Sequence, residues 1–346
     1  MRILLGMSGG LDSTYAARVL MDAGHSVTGA VLIMHEFTET DAAENAAHEL
    51  GIELVKIDAR ERFFDTVTGD FVKQYTLGRT PNPCIVCNRE VKFRLLLDYA
   101  RDNGFDRVAT GHYASIGTSA DSEGELRFLK LSGDEKKDQT YMLYRLDPEM
   151  LSMILFPLSD ITKAEVREAA QSIGISQSER KESQEICFIP SNDHAAYIES
   201  RVGPHREGDF VDRDGNILGR HKGICHYTVG QRKGLGIALG ARAFITDIDP
   251  ETDRITVETE PKRTDRFTVS DLIFTGVRKR KAGDELRLTV KVRYQAPRVP
   301  VTVRFLENQA VEAILDTPAV SVTKGQSAVF YLDDRVAFGG FIDTVE

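Results

Sequence analysis

The sequence predicts an α/β fold: an N-terminal domain built on a parallel sheet, followed by two small β-rich domains, the last of them a β-barrel. Three observations carry this expectation. Up to about residue 110, short apolar runs alternate with helical patterns; a glycine-rich loop joins the first strand to the first helix; and after Gly203 short β-type runs are split by glycine and charged turns.

In order, RILLGM (2–7) has the unbroken apolar run of a buried strand, DSTYAARVLMDAG (12–24) a helical period with a stop at Gly24, and SVTGAVLIM (26–34) the next strand. DAAENAAHELG, IELVKID, ERFFDTVTGDFVKQYTLG, EVKFRLLLDYARDNG and FDRVATGH continue the alternation, and KAEVREAAQSIGI (163–175) extends the unit to about residue 200. This is the grammar of βαβ units, which bind ligands at the carboxyl ends of their strands. Beyond Gly203, runs such as RAFITDIDPETDRITVET, LRLTVKVRY, VPVTVRFLE and SAVFYLDD, with turn signals RDGN and DPETD, suit small antiparallel sheets or barrels. Boundaries are expected near 203 and 268, giving domains 1–203, 204–267 and 268–346.

No apolar run approaches the roughly 18 residues of a membrane span, and MRILLGMSGG is too short and glycine-rich for a signal peptide, so a cytoplasmic location without membrane partners is expected. The net charge of −9 argues at first against a nucleic-acid partner. The charge is sorted, however: residues 262–304 hold 12 Lys/Arg against 4 Asp/Glu, and residues 201–242 hold 8 against 4. Local basic stretches in an acidic chain suit surfaces that face a polyanion. The four cysteines, at 84, 87, 187 and 225, are too unevenly spaced for a secreted disulfide framework, and in a reducing compartment such thiols are more often catalytic or metal-binding.

GMSGGLDS (6–13) lies at the first strand-to-helix turn. Gly6, Gly9 and Gly10 allow close backbone approach to an anion, Ser8 and Ser13 supply hydroxyls, and the helix start adds partial positive charge. The loop should hold phosphate, though it is neither a Walker A nor a dinucleotide fingerprint. The bland alternative is a glycine-rich turn with Asp12 and Ser13 as helix caps.

S-G-G-x-D-S after a first strand resembles the pyrophosphate-binding loop (PP-loop) of the N-type ATP pyrophosphatases. GRTPNPC-x-x-CN (78–88), ATGHYA (109–114), KDQTYML (137–143), ESQEICFI (182–189), GQRKGLGI (230–237), VKVRY (290–294) and KGQSAVFY (324–331) resemble, in order, the tRNA-specific 2-thiouridylases of the MnmA type. That resemblance implies an enzyme that adenylates the C2 oxygen of the wobble uridine in Lys, Glu and Gln tRNAs and replaces it with sulfur. ATP and Mg2+ are implied as cofactors, and tRNA and a sulfur donor protein or sulfide as partners. It implies ATP contacts at Gly6, Met7, Ser8, Gly9, Gly10, Leu11, Asp12, Ser13, Leu32 and Gly111, with Asp12 needed for adenylation but not for folding. It implies tRNA contacts at Asn82, Pro83, Cys84, His112, Lys137, Asp138, Gln139, Arg293, Tyr294 and Gln326. Thiolation of another nucleotide, a non-catalytic RNA-binding protein with a metal knuckle, and a small-molecule adenylating synthetase are the competing readings.

In the best-known form of that family, Cys87 matches the nucleophile and Cys187 the persulfide carrier, while an aspartate stands where this chain has Cys84. With Cys84, Cys87 and Cys187 the chain has three thiols for one site, a set that suits a 4Fe-4S iron-sulfur cluster with one iron open for sulfide. A persulfide relay with Cys84 as a spare or redox partner is the alternative, a three-cysteine zinc site a weaker third, and a merely structural C-x-x-C the least favoured. Cys225 is expected outside this group, as a small buried hydrophobe.

Overall fold

A computed structural model describes residues 1–172, 186–237, 242–320 and 322–346. The last positions of the helix expected over 163–175, and residues 182–185 of the ESQEICFI stretch, lie outside the described residues.

The chain begins as β1 (Arg2–Gly6), α1 (Leu11–Asp22), β2 (Ser26–Ile33), α2 (Asp41–Leu50) and β3 (Leu54–Asp58). Two helical stretches follow, each interrupted by a turn of π-helix: α3 (Arg60–Phe63) runs through Phe64–Thr68 into α4 (Gly69–Thr76), and α5 (Pro83–Cys87) through Asn88–Phe93 into α6 (Arg94–Asp102). Then come β4 (Arg107–Thr110), a hairpin of β5 (Ser115–Asp121) and β6 (Gly124–Lys130), α7 (Thr140–Leu143), α8 (Pro148–Met153), β7 (Ile154–Leu155), α9 (Lys163–Ser172) and α10 (His194–Val202). The first sheet has the order β3-β2-β1-β4-β7, parallel throughout. Ile3, Leu4 and Leu5 of its central strand are wholly buried, as an apolar run covered on both faces must be.

The middle region carries β8 (Gly208–Val211), β9 (Ile217–His221), β10 (Phe244–Asp249) and β11 (Arg254–Glu258), in the order β10-β11-β8-β9. The last region holds β12 (Arg263–Phe274), β13 (Glu285–Lys291), β14 (Val299–Phe305), β15 (Val311–Val320), β16 (Ser327–Leu332) and β17 (Arg335–Val345). Its strands run β12-β15-β14-β13-β16-β17 and close through β12–β17, a six-stranded antiparallel barrel. Position 268 falls within β12.

The β5–β6 hairpin has no counterpart in the sequence expectations. It projects from the N-terminal domain and joins the barrel sheet at β17, where Arg335 pairs with Lys130. The two regions also share one apolar core, in which Leu4, Phe93 and Tyr144 belong to the same cluster as Val329, Tyr331 and Val336. Hydroxyl bonds stitch this seam: Tyr141 donates to the Ser327 carbonyl at 3.0 Å, Tyr144 Oη meets Ser327 Oγ at 3.0 Å, and Thr140 Oγ1 meets Tyr331 Oη at 3.2 Å. KDQTYML and KGQSAVFY are therefore two sides of one interface.

Inside the barrel Phe338 stacks on Phe274 and Phe330 and lies tilted against Phe305, with centroids 4.6 to 5.6 Å apart. Truncating a fully buried aromatic leaves a cavity its neighbours cannot fill, so Phe338→Ala should cost about 3–5 kcal/mol. The check is a fall in the denaturant midpoint of the barrel transition.

Candidate active site

Ligands of a doubly wound sheet gather where the strand order reverses, which in this sheet is at the carboxyl ends of β1 and β4. A cavity of about 320 Å³ opens there, lined by residues that include Gly6, Met7 and Ser8 after β1, Leu32 of β2, and Gly111 and His112 after β4. That volume falls within the usual range for small-molecule sites.

The glycine loop is shaped by contact as well as by conformational freedom. Gly9 has φ +71°, and a Cβ on it would lie 2.2 Å from the Ala42 backbone at the start of α2. A Cβ on Gly111 would lie 2.7 Å from the backbone of Asp12 and Ser13, so the turn after β4 presses directly on the first turn of α1. Gly10 caps α1 from an extended conformation with no side-chain hydrogen bond. The amides of that first turn therefore have no side-chain acceptor and face the cavity end of the helix, the arrangement that receives an anion. Gly9, Gly10 and Leu11 shape this loop without lining the cavity, whereas Asp12 and Ser13 line it.

Asp12 is held from two sides. Lys163 Nζ, at the start of α9 and nearly buried, lies 2.6 Å from both carboxylate oxygens, and Tyr113 donates its hydroxyl at 2.7 Å. The carboxylate expected to act in adenylation thus stands in a partly buried ion pair that also ties the loop to α9 and to the turn after β4. Lys163 was missed from the sequence, although a lysine opening a helix opposes the helix dipole and signals a partner elsewhere.

Cys87 lies beside this cavity, its Sγ 3.7 Å from Sδ of Met34 on the cavity wall. Asn82 caps α5 by accepting from the Cys84 amide at 3.2 Å, with Pro83 at the first helical position. This sets Cys84 and Cys87 three residues apart on one helix face, just before the π-turn. Cys84 and Cys187 are exposed and Cys87 is buried. Burial pushes the Cys87 thiol up to about 12; Lys92 opposes this, and the charges of Cys84 and Cys187 add to it. Although the residue as a whole is exposed, partial desolvation by the surrounding protein also raises the Cys187 thiol, Cys84 adds to this, and Lys92 opposes it. The three thiols thus sit within electrostatic reach of one another, and Cys87 and Cys187 within reach of a single ammonium. Lys92, another residue the sequence reading missed, also lines the cavity at the carboxyl ends of β1 and β4. Among the described residues, the group of three metal-ligating atoms lying within 4.8 Å of one another is Glu199, His205 and Cys225, not these three cysteines. The cysteines are therefore not drawn together tightly enough for a single zinc ion, whose tetrahedral ligands sit roughly 3.3–3.8 Å apart.

The residues expected as tRNA contacts are spread over the cavity wall, the interior and the domain seams. His112 is a cavity-wall residue packed against Phe93 and Phe156 and bonded to Thr110 Oγ1 at 2.8 Å; burial, then Lys92, pushes it down to about 3. Asp138 is buried, accepting from the Ser132 amide and from Thr140, so its carboxylate serves the fold. Gln139 lines the cavity and accepts from the Tyr113 amide at 2.9 Å. Lys137 is half-buried in the same turn. Arg293 donates to Thr323 Oγ1 at 2.9 Å and to the Val229 carbonyl at 3.4 Å, tying barrel to middle domain, while Tyr294 packs on Tyr141. Gln326 donates to the Thr80 carbonyl at 2.7 Å, and a Cβ on Gly325 would lie 2.9 Å from Arg79. The barrel thereby grips the loop that leads into Cys84.

Family models match along the chain: a tRNA methyl transferase HUP domain over residues 1–191, a tRNA methyl transferase PRC-barrel domain over 195–259 and an aminomethyltransferase beta-barrel domain over 264–342. A protein of Clostridium perfringens named tRNA-specific 2-thiouridylase MnmA is 41% identical over 361 residues, covering 99% of both chains. Its namesake in Acetivibrio thermocellus is 40% identical over 358 residues with the same coverage. Among solved structures, a 4-thiouridine synthetase–RNA complex with bound ATP is 21% identical with TM-score 0.36, over 51% of this chain and 42% of that one.

Removing the Asp12 carboxylate strands the Lys163 ammonium, so Asp12→Ala should cost about 3 kcal/mol of stability rather than leave the fold intact. Adding Lys163→Met should recover most of that loss in chemical denaturation. His112 titrates near 3 when folded against 6.5 ordinarily. The stability its neutral ring contributes is therefore complete above 6.5 and lost as pH falls from there toward 3. Stability measured against pH should accordingly fall less steeply in that window for His112→Gln.

Proposed function

Since the chain belongs to the tRNA-specific 2-thiouridylase family, we propose that it converts the wobble uridine of Lys, Glu and Gln tRNAs to 2-thiouridine, using ATP and an iron-sulfur cluster held by Cys84, Cys87 and Cys187. The observation that carries this reading is Lys92, whose one ammonium lines the nucleotide cavity and is felt by both Cys87 and Cys187. An adenylating site and a sulfur site must meet at one base, and this side chain spans the two.

The uracil C2 oxygen is a poor leaving group. Its attack on the α-phosphorus of ATP breaks the bond to the bridging oxygen and expels pyrophosphate. A sulfur nucleophile then attacks C2, the C2–O bond breaks, and the oxygen departs in AMP. In this chain the first turn of α1 and the glycine loop receive phosphate, and Lys163 and Tyr113 keep Asp12, and with it the loop, in place. With Asp12 occupied by Lys163, Glu39 is the other carboxylate on the cavity wall, so Mg2+ would be held mainly by phosphate oxygens and water. The base must leave its stack to reach the cavity, which suits a single-stranded anticodon loop. The basic stretches 201–242 and 262–304 supply charge for the RNA backbone, and Arg232 and Arg242 line an open groove on the middle domain.

Three clustered cysteines fit an iron-sulfur cluster, which when bound would supply an open iron able to hold sulfur. The raised Cys87 thiol supports its role as a ligand, because a buried thiol gains its anionic form through a metal more readily than alone. The persulfide relay through Cys87 and Cys187 is the second reading, favoured by the exposure of Cys187 to a donor.

Incubation with unmodified tRNA, ATP and sulfide should yield 2-thiouridine on nucleoside analysis, with pyrophosphate released only when tRNA is present. Anaerobically reconstituted protein should contain iron and acid-labile sulfide, lost in Cys84→Ser and Cys187→Ser. Thiolation from a persulfide donor by iron-free protein would return Cys87 and Cys187 to the relay.

A further inference from the structure

The junction between α10 and the middle domain gathers metal-ligating side chains that the thiolation site does not use. Glu199 of α10, His205 of the following linker and Cys225 of the short Ile224–His226 turn place one carboxylate oxygen, one imidazole nitrogen and one sulfur all within 4.8 Å of one another. Cys225 is wholly buried, so its sulfur is screened from solvent. The Nδ1 atom of His205 is buried without a hydrogen-bond partner, a costly arrangement for a polar group unless a ligand completes it. Beside them, the Nε2 atom of His226 lies 3.0 Å from Glu199 Oε1, where it can orient the carboxylate from outside.

From this constellation we propose a divalent metal site of the zinc class, formed by Glu199, His205 and Cys225 with water in the fourth position. The donor set of thiolate, imidazole and carboxylate is the one zinc favours. Tetrahedral zinc ligands sit roughly 3.3–3.8 Å apart, so atoms already within 4.8 Å of one another need only small side-chain adjustments. The thiol proton leaves to solvent as the metal–sulfur bond forms. His226 supplies the outer hydrogen bond that ligating carboxylates usually have. An open groove lined by His205 and Ile224 reaches the same junction from solvent and gives the ion an entry path.

The site joins three separate segments and borders the thiolation centre. Cys225 shares an apolar cluster with Cys87, Phe188, Ile189 and Ile198, and the segment bearing Cys187 runs directly into α10. The metal would pin α10 to the middle domain and so fix the approach of Cys187 toward Cys84 and Cys87. Cys225, expected to be a small buried hydrophobe, would then be a ligand.

The test uses the full chain carrying Cys84→Ser and Cys187→Ser, so that the thiolation cysteines do not bind the probe metal. Titrated with zinc or cobalt(II), this protein should take up about one ion per chain, and the cobalt form should show a thiolate charge-transfer band. Adding Cys225→Ser should abolish the band, and adding His205→Ala should remove stoichiometric binding. His226→Ala should weaken affinity ~10–100-fold. If Cys225→Ser does not fold, judged by circular dichroism, His205→Ala and Glu199→Gln decide. Absence of binding at micromolar free metal, or undiminished binding in His205→Ala and Glu199→Gln, would overturn the proposal.

Discussion

The ion pair between Asp12 and Lys163 is the interaction on which the nucleotide cavity depends. It joins the first turn of α1 to the first residue of α9, and through the Tyr113 hydroxyl it reaches the turn after β4. Those three segments are far apart in sequence, and each forms part of the phosphate-receiving end of the sheet. A partly buried carboxylate and ammonium repay their desolvation only with good geometry and further hydrogen bonds, and this pair has both. Gly111 completes the clamp, because only a residue without Cβ lets the turn lie against the Asp12–Ser13 backbone.

A second constraint governs how the domains share the site. The barrel is built into the N-terminal domain: Tyr141 and Tyr144 bond to Ser327, the β5–β6 hairpin extends the barrel sheet, and Gln326 holds Thr80 just before α5. Arg293 and Gln326, expected as tRNA contacts, also bond across these seams. The barrel thus sets the position of the cysteine-bearing helix as well as presenting basic surface, and substitutions at Gln326 or Arg293 are bound to mix structural and binding effects.

Much of this was legible in the sequence. The apolar run of β1, the helical period of α1 and the turn-punctuated strands after Gly203 announce themselves through burial on one or both faces. The phosphate loop was legible because its glycines answer a local requirement. The packing of Asp138, Gln139 and His112 was not legible, because a polar residue in a charged or glycine-flanked stretch reads as exposed, and only tertiary structure shows the backbone amide or apolar wall that each one meets. Lys163 and Lys92 gave faint signals, since Asp12 lies 151 residues from Lys163 and Cys187 lies 95 residues (187 − 92) from Lys92. The β5–β6 hairpin was invisible because its partner strand comes some two hundred residues later.

In the proposed reaction one site activates the uridine C2 oxygen with ATP and then replaces it with sulfur. Transfer RNA carrying ¹⁸O at C2 of its wobble uridine tests this most directly, with the products of a single turnover separated and weighed. The heavy oxygen should appear in AMP, in step with the formation of 2-thiouridine. Heavy oxygen retained in the tRNA, or found in pyrophosphate or water with AMP unlabelled, would contradict it.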